Sequence, residues 1–232
     1  FLNLFYFIFK LFPTKKDKIL FMSRQQDQPS IDFRKLIHRL NEEYNFKIVV
    51  ITRRVEKNAW SVITKNGFLL FRQMYHLATS KVCIIDGYNI AVSTLHHKKS
   101  LIVFQLWHAL GAIKKFGYQT LFTDRDKMLA KEFKMHKNYN YILSPSPAMT
   151  TYLKKAFNYP NSYFIYGSLP RIDYLNTYNL INKTKIYHKY PQLKKKKTIL
   201  YAPTFRKTNS YKIKEFIEAF DPKKYYIILR LH

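Results

Sequence analysis

Short, uninterrupted apolar runs alternate along this chain with stretches whose apolar residues recur at helical spacing, and this alternation narrows the fold more than any other feature. Lys18-Ile-Leu-Phe-Met22, Phe46-Lys-Ile-Val-Val-Ile51, Val82-Cys-Ile-Ile85 and Leu101-Ile-Val-Phe104 each read as a buried strand. Phe33, Leu36, Ile37 and Leu40 mark one face of a helix expected over 31–44, and a second helix is expected over 68–79. Strands this apolar need cover on both faces, which predicts an α/β fold built on a parallel sheet. Tyr141-Ile-Leu143, a helix over 148–157 and Tyr163-Phe-Ile-Tyr166 continue the pattern.

After Asp173 the apolar periodicity lapses, and a lysine run follows at Lys194-Lys-Lys-Lys197. A new strand-helix-strand unit then begins at Thr198-Ile-Leu-Tyr201, passes through a helix over 213–220 and reaches Tyr225-Tyr-Ile-Ile-Leu229. One such unit cannot bury both faces of its sheet, so the second domain is expected to be incomplete in this sequence. The expected organisation is an N-terminal segment 1–17, a first domain 18–175, a linker 176–197 and the start of a second domain 198–232.

The 232 residues are 47% hydrophobic, enough for one large or two small packed domains. Forty-one Lys and Arg against 14 Asp and Glu leave a formal charge of +27, which calls for an anionic partner. Nucleic acid, anionic lipid and a polyphosphate substrate all satisfy that demand. Lys223-Lys-Tyr-Tyr226 has the residues to stack on single strands, yet no helix-turn-helix, zinc-finger spacing or RNP-like strand accompanies it, so nucleic acid is the least favoured. The single cysteine, Cys83, sits among Val82, Ile84 and Ile85; it reads as a buried thiol in a reducing compartment. His96-His97 reads as exposed loop, and Asp124-Arg-Asp126 as a solvated loop rather than a metal site. No metal-binding cluster is seen and no cofactor is required, with room left for a divalent cation such as Mg2+ at a diphosphate.

Phe1 to Phe12 is apolar except for Asn3 and Lys10, falls short of the roughly 20 residues of a spanning helix, and is followed by Pro13, Lys15, Lys16 and Lys18. It fits the end of a longer membrane segment or an interfacial helix whose lysines meet anionic headgroups; a helix packed on the first domain is the alternative. A signal peptide is disfavoured, because the charge follows the apolar run and no small-residue cleavage site appears. The expectation is a peripheral protein on the cytoplasmic face of a cell membrane.

The chemistry concentrates in Gln105-Leu-Trp-His-Ala-Leu-Gly-Ala-Ile-Lys-Lys-Phe-Gly117, where a strand is expected to feed a glycine-containing turn and a helix N-terminus. His108 is the candidate general base, with a structural histidine as the alternative. Lys114 and Lys115, a turn beyond it, suit either a diphosphate or a solvated helix face.

That run, together with Ser144-Pro-Ser-Pro147 and Ala156-Phe157, Gly167-Ser-Leu-Pro-Arg-Ile-Asp173, Ile199-Leu-Tyr-Ala-Pro-Thr-Phe-Arg206 and Leu229-Arg-Leu-His232, resembles the CDP-glycerol glycerophosphotransferase family of teichoic acid synthesis. The family often has Gly where this chain has Ala109. The resemblance implies a glycosyltransferase-B-like pair of Rossmann-type domains, with the nucleotide held mainly by the second. It also implies transfer of glycerol phosphate from CDP-glycerol to a hydroxyl of a lipid-linked polyprenyl-diphosphate saccharide, with release of CMP. Substrate contacts are then expected from His108, Ala109, Leu110, Gly111 and Ala112. Arg171 would clamp phosphate, oriented by Asp173, or would form a hinge salt bridge. Pro203 and Thr204 would face the nucleotide, beside Arg230, Leu231 and His232 on the neighbouring strand. His232 is a second catalytic candidate, stabilising the departing CMP. The alternatives are transfer of another polyol phosphate, such as ribitol phosphate, or a non-catalytic basic protein that binds RNA or membranes.

Overall fold

The computed structural model describes residues 2–54, 59–111, 114–203 and 212–230, with only the backbone described in 59–66 and 178–181. The chain divides into two compact units, Phe1–Asp173 and Tyr174–His232. In the first, chain order runs α1 (Leu2–Lys10), β1 (Lys15–Ser23), α2 (Ile31–Glu43), β2 (Lys47–Thr52), α3 (Ala59–Thr79), β3 (Ser80–Ile85), α4 (Ile90–Thr94), β4 (Ile102–Gln105), α5 (Asp124–Glu132), β5 (Tyr141–Ser144), α6 (Pro147–Phe157) and β6 (Phe164–Tyr166). The six strands form one sheet in the order β2-β1-β3-β4-β5-β6, parallel throughout.

Period-two alternation along β1 explains the two faces. Leu20 and Met22 enter a core with Met74 and Leu77 of α3, Val92 of α4, and Leu153 and Phe157 of α6; Ile19 and Phe21 enter a second core with Phe33 of α2. Leu36, Ile37 and Leu40 pack on that second core, as their spacing predicts. Cys83 is fully buried. Helix starts follow from capping chemistry: Ser30, Asn89 and Ser146 each accept a hydrogen bond from an N–H of the following turn.

Four expectations are corrected. Asp124-Arg-Asp126 is not loop but the first turn of α5, where Thr123 and Asp126 form a reciprocal capping box. His97 is not exposed: one ring nitrogen meets Tyr6 Oη at 2.9 Å and the other Val92 O at 2.7 Å. Since a carbonyl only accepts, Nε2 carries the proton and Nδ1 accepts from Tyr6. Lys18 does not face headgroups; it is buried, donates to Thr79 Oγ1 at 2.6 Å, and burial first, then Lys15, lowers its pKa to about 8. Finally, the stretch where apolar periodicity lapses, read as a linker without regular structure, is largely helical, since α7 (Arg171–Lys189) runs through most of it.

In the second unit β7 (Lys197–Tyr201) and β8 (Tyr225–Leu229) pair in parallel, with α8 (Ile213–Glu218) between them in sequence. Tyr201 stacks on Phe216 with ring centroids 4.1 Å apart. Leu200 and its register partner Ile228, on the face opposite Tyr201, remain exposed.

Burial of histidines gives the fold an acid sensitivity. Desolvation is the first cause lowering His76, His97 and His136 from 6.5 to about 4. The unfolded chain therefore protonates these rings before the folded one does, so stability present above pH 6.5 is lost as pH falls toward 4. Thermal melts from pH 7.5 to 4.5 should show a steadily falling Tm; a flat profile would contradict neutral burial of these rings.

Candidate active site

The sheet order places its topological switch point between β1 and β3, because the chain leaves β1 toward β2 and then crosses back to the other side. Crevices in such sheets open at the carboxyl ends of the strands flanking that point. Here those ends are followed by Arg24 and Gln25, by Asp86-Gly87-Tyr88, and, from neighbouring β4, by Leu106-Trp107-His108.

Backbone and side-chain bonds lace the last two ends together. Leu106 N donates to Ile85 O at 2.8 Å. The buried amide of Gln105 donates to Gly87 O at 3.2 Å and accepts from Trp107 N at 2.8 Å. Trp107 is thereby held at φ 64°, a conformation costly for so bulky a residue. Its indole stacks on Phe116 at 4.1 Å and lies 4.1 Å from the His108 ring.

His108 is half-buried, and its Nδ1 lies 2.7 Å from Asp86 O. The carbonyl can only accept, so Nδ1 carries the proton, and the neutral ring keeps its lone pair on Nε2. That is the tautomer a general base needs. Among the described residues between His108 and Gly117 the expected helix is not seen: a short 3-10 turn forms at Gly117–Thr120, and Lys114 and Lys115 are exposed ahead of it. Gly117 is required by packing, since at φ 56° a Cβ would come within 2.3 Å of Ala156 O.

Asp86 is the residue sequence reasoning passed over. Only 3% exposed, it has one carboxyl oxygen, Oδ1, without a hydrogen-bond partner among the described residues. Burial raises its pKa, opposed by the Ser23 hydroxyl and by His108. Because the two side chains interact electrostatically, an ionised Asp86 would stabilise an imidazolium formed on His108. The available signal was a strand ending in Asp-Gly on the same sheet edge as the histidine.

The remaining candidates fare differently from one another. Arg171 is held not by Asp173 but by Asp32: its Nε donates to Oδ2 at 2.7 Å, its Nη2 donates to the same oxygen, and its backbone N donates to Oδ1 at 2.8 Å. The ion pair with a buried carboxylate matches the salt-bridge alternative for Arg171 and gives the guanidinium a structural partner. Ser144-Pro-Ser-Pro147 likewise has a local explanation: Ser146 caps α6, Pro147 occupies its first turn, and Thr150 Oγ1 donates to Ser144 Oγ at 2.8 Å. Ala109 and Leu110 cover a small apolar pocket of about 60 Å3 lined by Pro145, Met149, Gly167 and Leu169, and Gly111 is half-buried beside them. In the second unit Arg230 N donates to Tyr201 O at 2.9 Å, so the expected adjacency of the two strand ends holds; the Arg230 side chain is exposed and Pro203 half-buried. Ala112, Thr204, Leu231 and His232 lie outside the described residues. Among the described residues no group of three or more His, Cys, Asp or Glu is placed to hold a metal ion.

Parallel sheets in both units, with a histidine and a cavity at one carboxyl edge, define a Rossmann-like α/β protein. The chain belongs to the CDP-glycerol:poly(glycerophosphate) glycerophosphotransferase family, whose sequence model matches residues 4–232. It is 31% identical over 237 residues to a teichoic acid ribitol-phosphate primase of Bacillus spizizenii, covering 96% of this chain and 60% of that protein. It is 34% identical over 158 residues to a teichoic acid glycerol-phosphate primase of Bacillus subtilis, covering 67% of this chain and 40% of that protein. The fold matches the wall teichoic acid polymerase TagF with TM-score 0.68 at 15% identity, across 100% of this chain and 61% of that one, which gives the glycosyltransferase-B-like architecture. The chain thus spans about 60% or less of the length of these relatives.

Proposed function

We propose that the whole protein transfers glycerol phosphate from CDP-glycerol to a hydroxyl of a teichoic acid acceptor and releases CMP. The observation that carries this reading is the His108 geometry, in which Asp86 O fixes the proton on Nδ1 and leaves Nε2 as base. The acceptor oxygen forms a bond to the phosphorus that bears glycerol, its proton passes to Nε2, and the bond from that phosphorus to the CMP oxygen breaks. Asp86 stabilises the resulting imidazolium. Arg230 and His232 are proposed for the departing phosphate, and any divalent cation would share that charge.

A second reading, ribitol phosphate as the transferred group, is favoured by the ribitol-phosphate primase matching 96% of this chain. Mass spectrometry of a lipid-linked teichoic acid acceptor after incubation of the full-length protein with CDP-glycerol and CDP-ribitol separates the two. A glycerol phosphate increment supports the first reading, a ribitol phosphate increment the second, and neither increment would remove both.

Peripheral attachment to an anionic membrane is part of the same reading, supported by α1. Leu4, Phe7 and Ile8, spaced along one helical face, and Leu11 just past the helix end are all more than half exposed. The opposite face is fixed: Tyr6 is fully buried, Phe5 and Phe9 pack on the core and on Phe71, Asn3 donates to Thr94 O, and Lys10 donates to His96 O. Among the described residues no helix is long and apolar enough to cross a membrane. Replacing Leu4, Phe7 and Ile8 by glutamine should therefore reduce vesicle binding at least ~10-fold at unchanged Tm, given about 25 cal/mol per Å2 of apolar area. Deleting the segment instead should lower Tm, because it uncovers the core. Vesicle binding unaltered by the triple substitution would move the contact to another surface.

A further inference from the structure

A cavity of about 480 Å3 opens at the switch point beside the base, lined by Arg24, Gln25, Arg54, Tyr88, Trp107 and His136 among others. Its size suits a phosphate together with a polyol unit. Among the described residues no acidic side chain lines it, although Asp27 lies close enough for Oδ1 to accept from Arg54 N at 3.0 Å. His136 adds no charge, since burial keeps its ring neutral.

Arg24 and Arg171 make the informative contrast. Both are half-buried, but Arg171 has the Asp32 carboxylate, whereas Arg24 has no carboxylate partner among the described residues. Arg24 Nη1 donates to Tyr88 O at 3.3 Å, and the guanidinium lies 5.8 Å from the Tyr88 ring centre. Those contacts orient the group without neutralising it. A guanidinium partly withdrawn from water and lacking a counter-ion is an anion site, because a bound oxyanion restores the lost solvation. Desolvation also lowers its pKa, in keeping with that unmet demand.

The cavity adjoins His108. A Cβ at Gly87 would meet Gln25 Nε2 at 3.0 Å and His108 Nδ1 at 3.8 Å, so the glycine brings the cavity wall and the base together. A general base touches the attacking hydroxyl, and the space beside it belongs to the molecule that carries that hydroxyl. We propose that this cavity binds a phosphate group of the acceptor, with Arg24 as its principal cation and Arg54 at its open lip. The inference rests on the transferase reading above and assigns the substrate on its hydroxyl side. The phosphate has two sources, a polyol phosphate next to the attacking hydroxyl or the diphosphate of a lipid carrier. In the first case the acceptor is itself the product of an earlier polyol-phosphate transfer.

The test compares full-length wild type with Arg24→Gln, both checked by thermal melt, on two lipid-diphosphate saccharide acceptors that differ only by one terminal glycerol phosphate. Arg24→Gln should raise KM for an acceptor roughly 10- to 100-fold, as for a lost charge-assisted contact, while KM for the CDP-linked donor stays within about twofold. A rise confined to the extended acceptor assigns the polyol phosphate; a rise with both assigns the carrier diphosphate. Unchanged acceptor KM, or a rise in donor KM alone, would overturn the proposal. Calorimetry with glycerol 3-phosphate provides an arm independent of turnover: wild type should bind it and Arg24→Gln should bind at least ~10-fold more weakly. If the transferase reading fails, with no CDP-polyol turned over, this arm still reports on the cavity, and equal binding by both proteins would refute it.

Discussion

Arg171→Ala should destabilise the protein by about 3 kcal/mol, lowering Tm by roughly 10 °C, because it leaves the buried Asp32 carboxylate without its cation. Asp32 is 2% exposed on its side chain and Arg171 23%, so solvent relieves little of the loss. The pair joins the first turn of α2 to the start of α7, and it supplies both the Nε and the backbone N–H of Arg171 with an acceptor. Arg171→Lys keeps the charge but not the fork, and an intermediate loss is expected. Nucleotide calorimetry beside the melts distinguishes the roles: a normal Tm with weakened CDP-glycerol binding would return Arg171 to phosphate binding.

His108→Ala in the full-length protein should lower turnover at least ~100-fold while leaving donor affinity nearly unchanged, the pattern expected when a base acting only in the transition state is lost. The fold should survive, since the ring is half-buried and, among the described residues, is held by a single hydrogen bond to the Asp86 carbonyl. Retained turnover would reduce His108 to a structural histidine that ties two strand ends together.

The sheet was legible because each strand is apolar on both faces, as at Ile19, Leu20, Phe21 and Met22, and this pattern has one common structural solution. His108 was legible for a related reason: strand order need not be known to place a residue at a carboxyl end. The partner of Arg171 was not, because Asp32 is 139 positions away and no local pattern encodes so distant a contact. His97 was misread for the same reason, its neighbours being Tyr6, far off in sequence, and Val92. Arg24 carried no sequence signal among so many basic residues; only the distribution of carboxylates in space separates it from Arg171. The helix in place of the linker was missed because α7 starts with an ion pair and then runs polar, leaving little apolar periodicity to read.

The central claim is that the acceptor hydroxyl is deprotonated by His108 as CMP departs. Single-turnover CMP release from CDP-glycerol or CDP-ribitol, with and without a lipid-linked teichoic acid acceptor, tests it most directly. The account predicts a CMP burst by the full-length wild type that requires the acceptor and is slowed at least ~100-fold in His108→Ala. CMP released at the same rate by both proteins, or by neither with either donor, would contradict it.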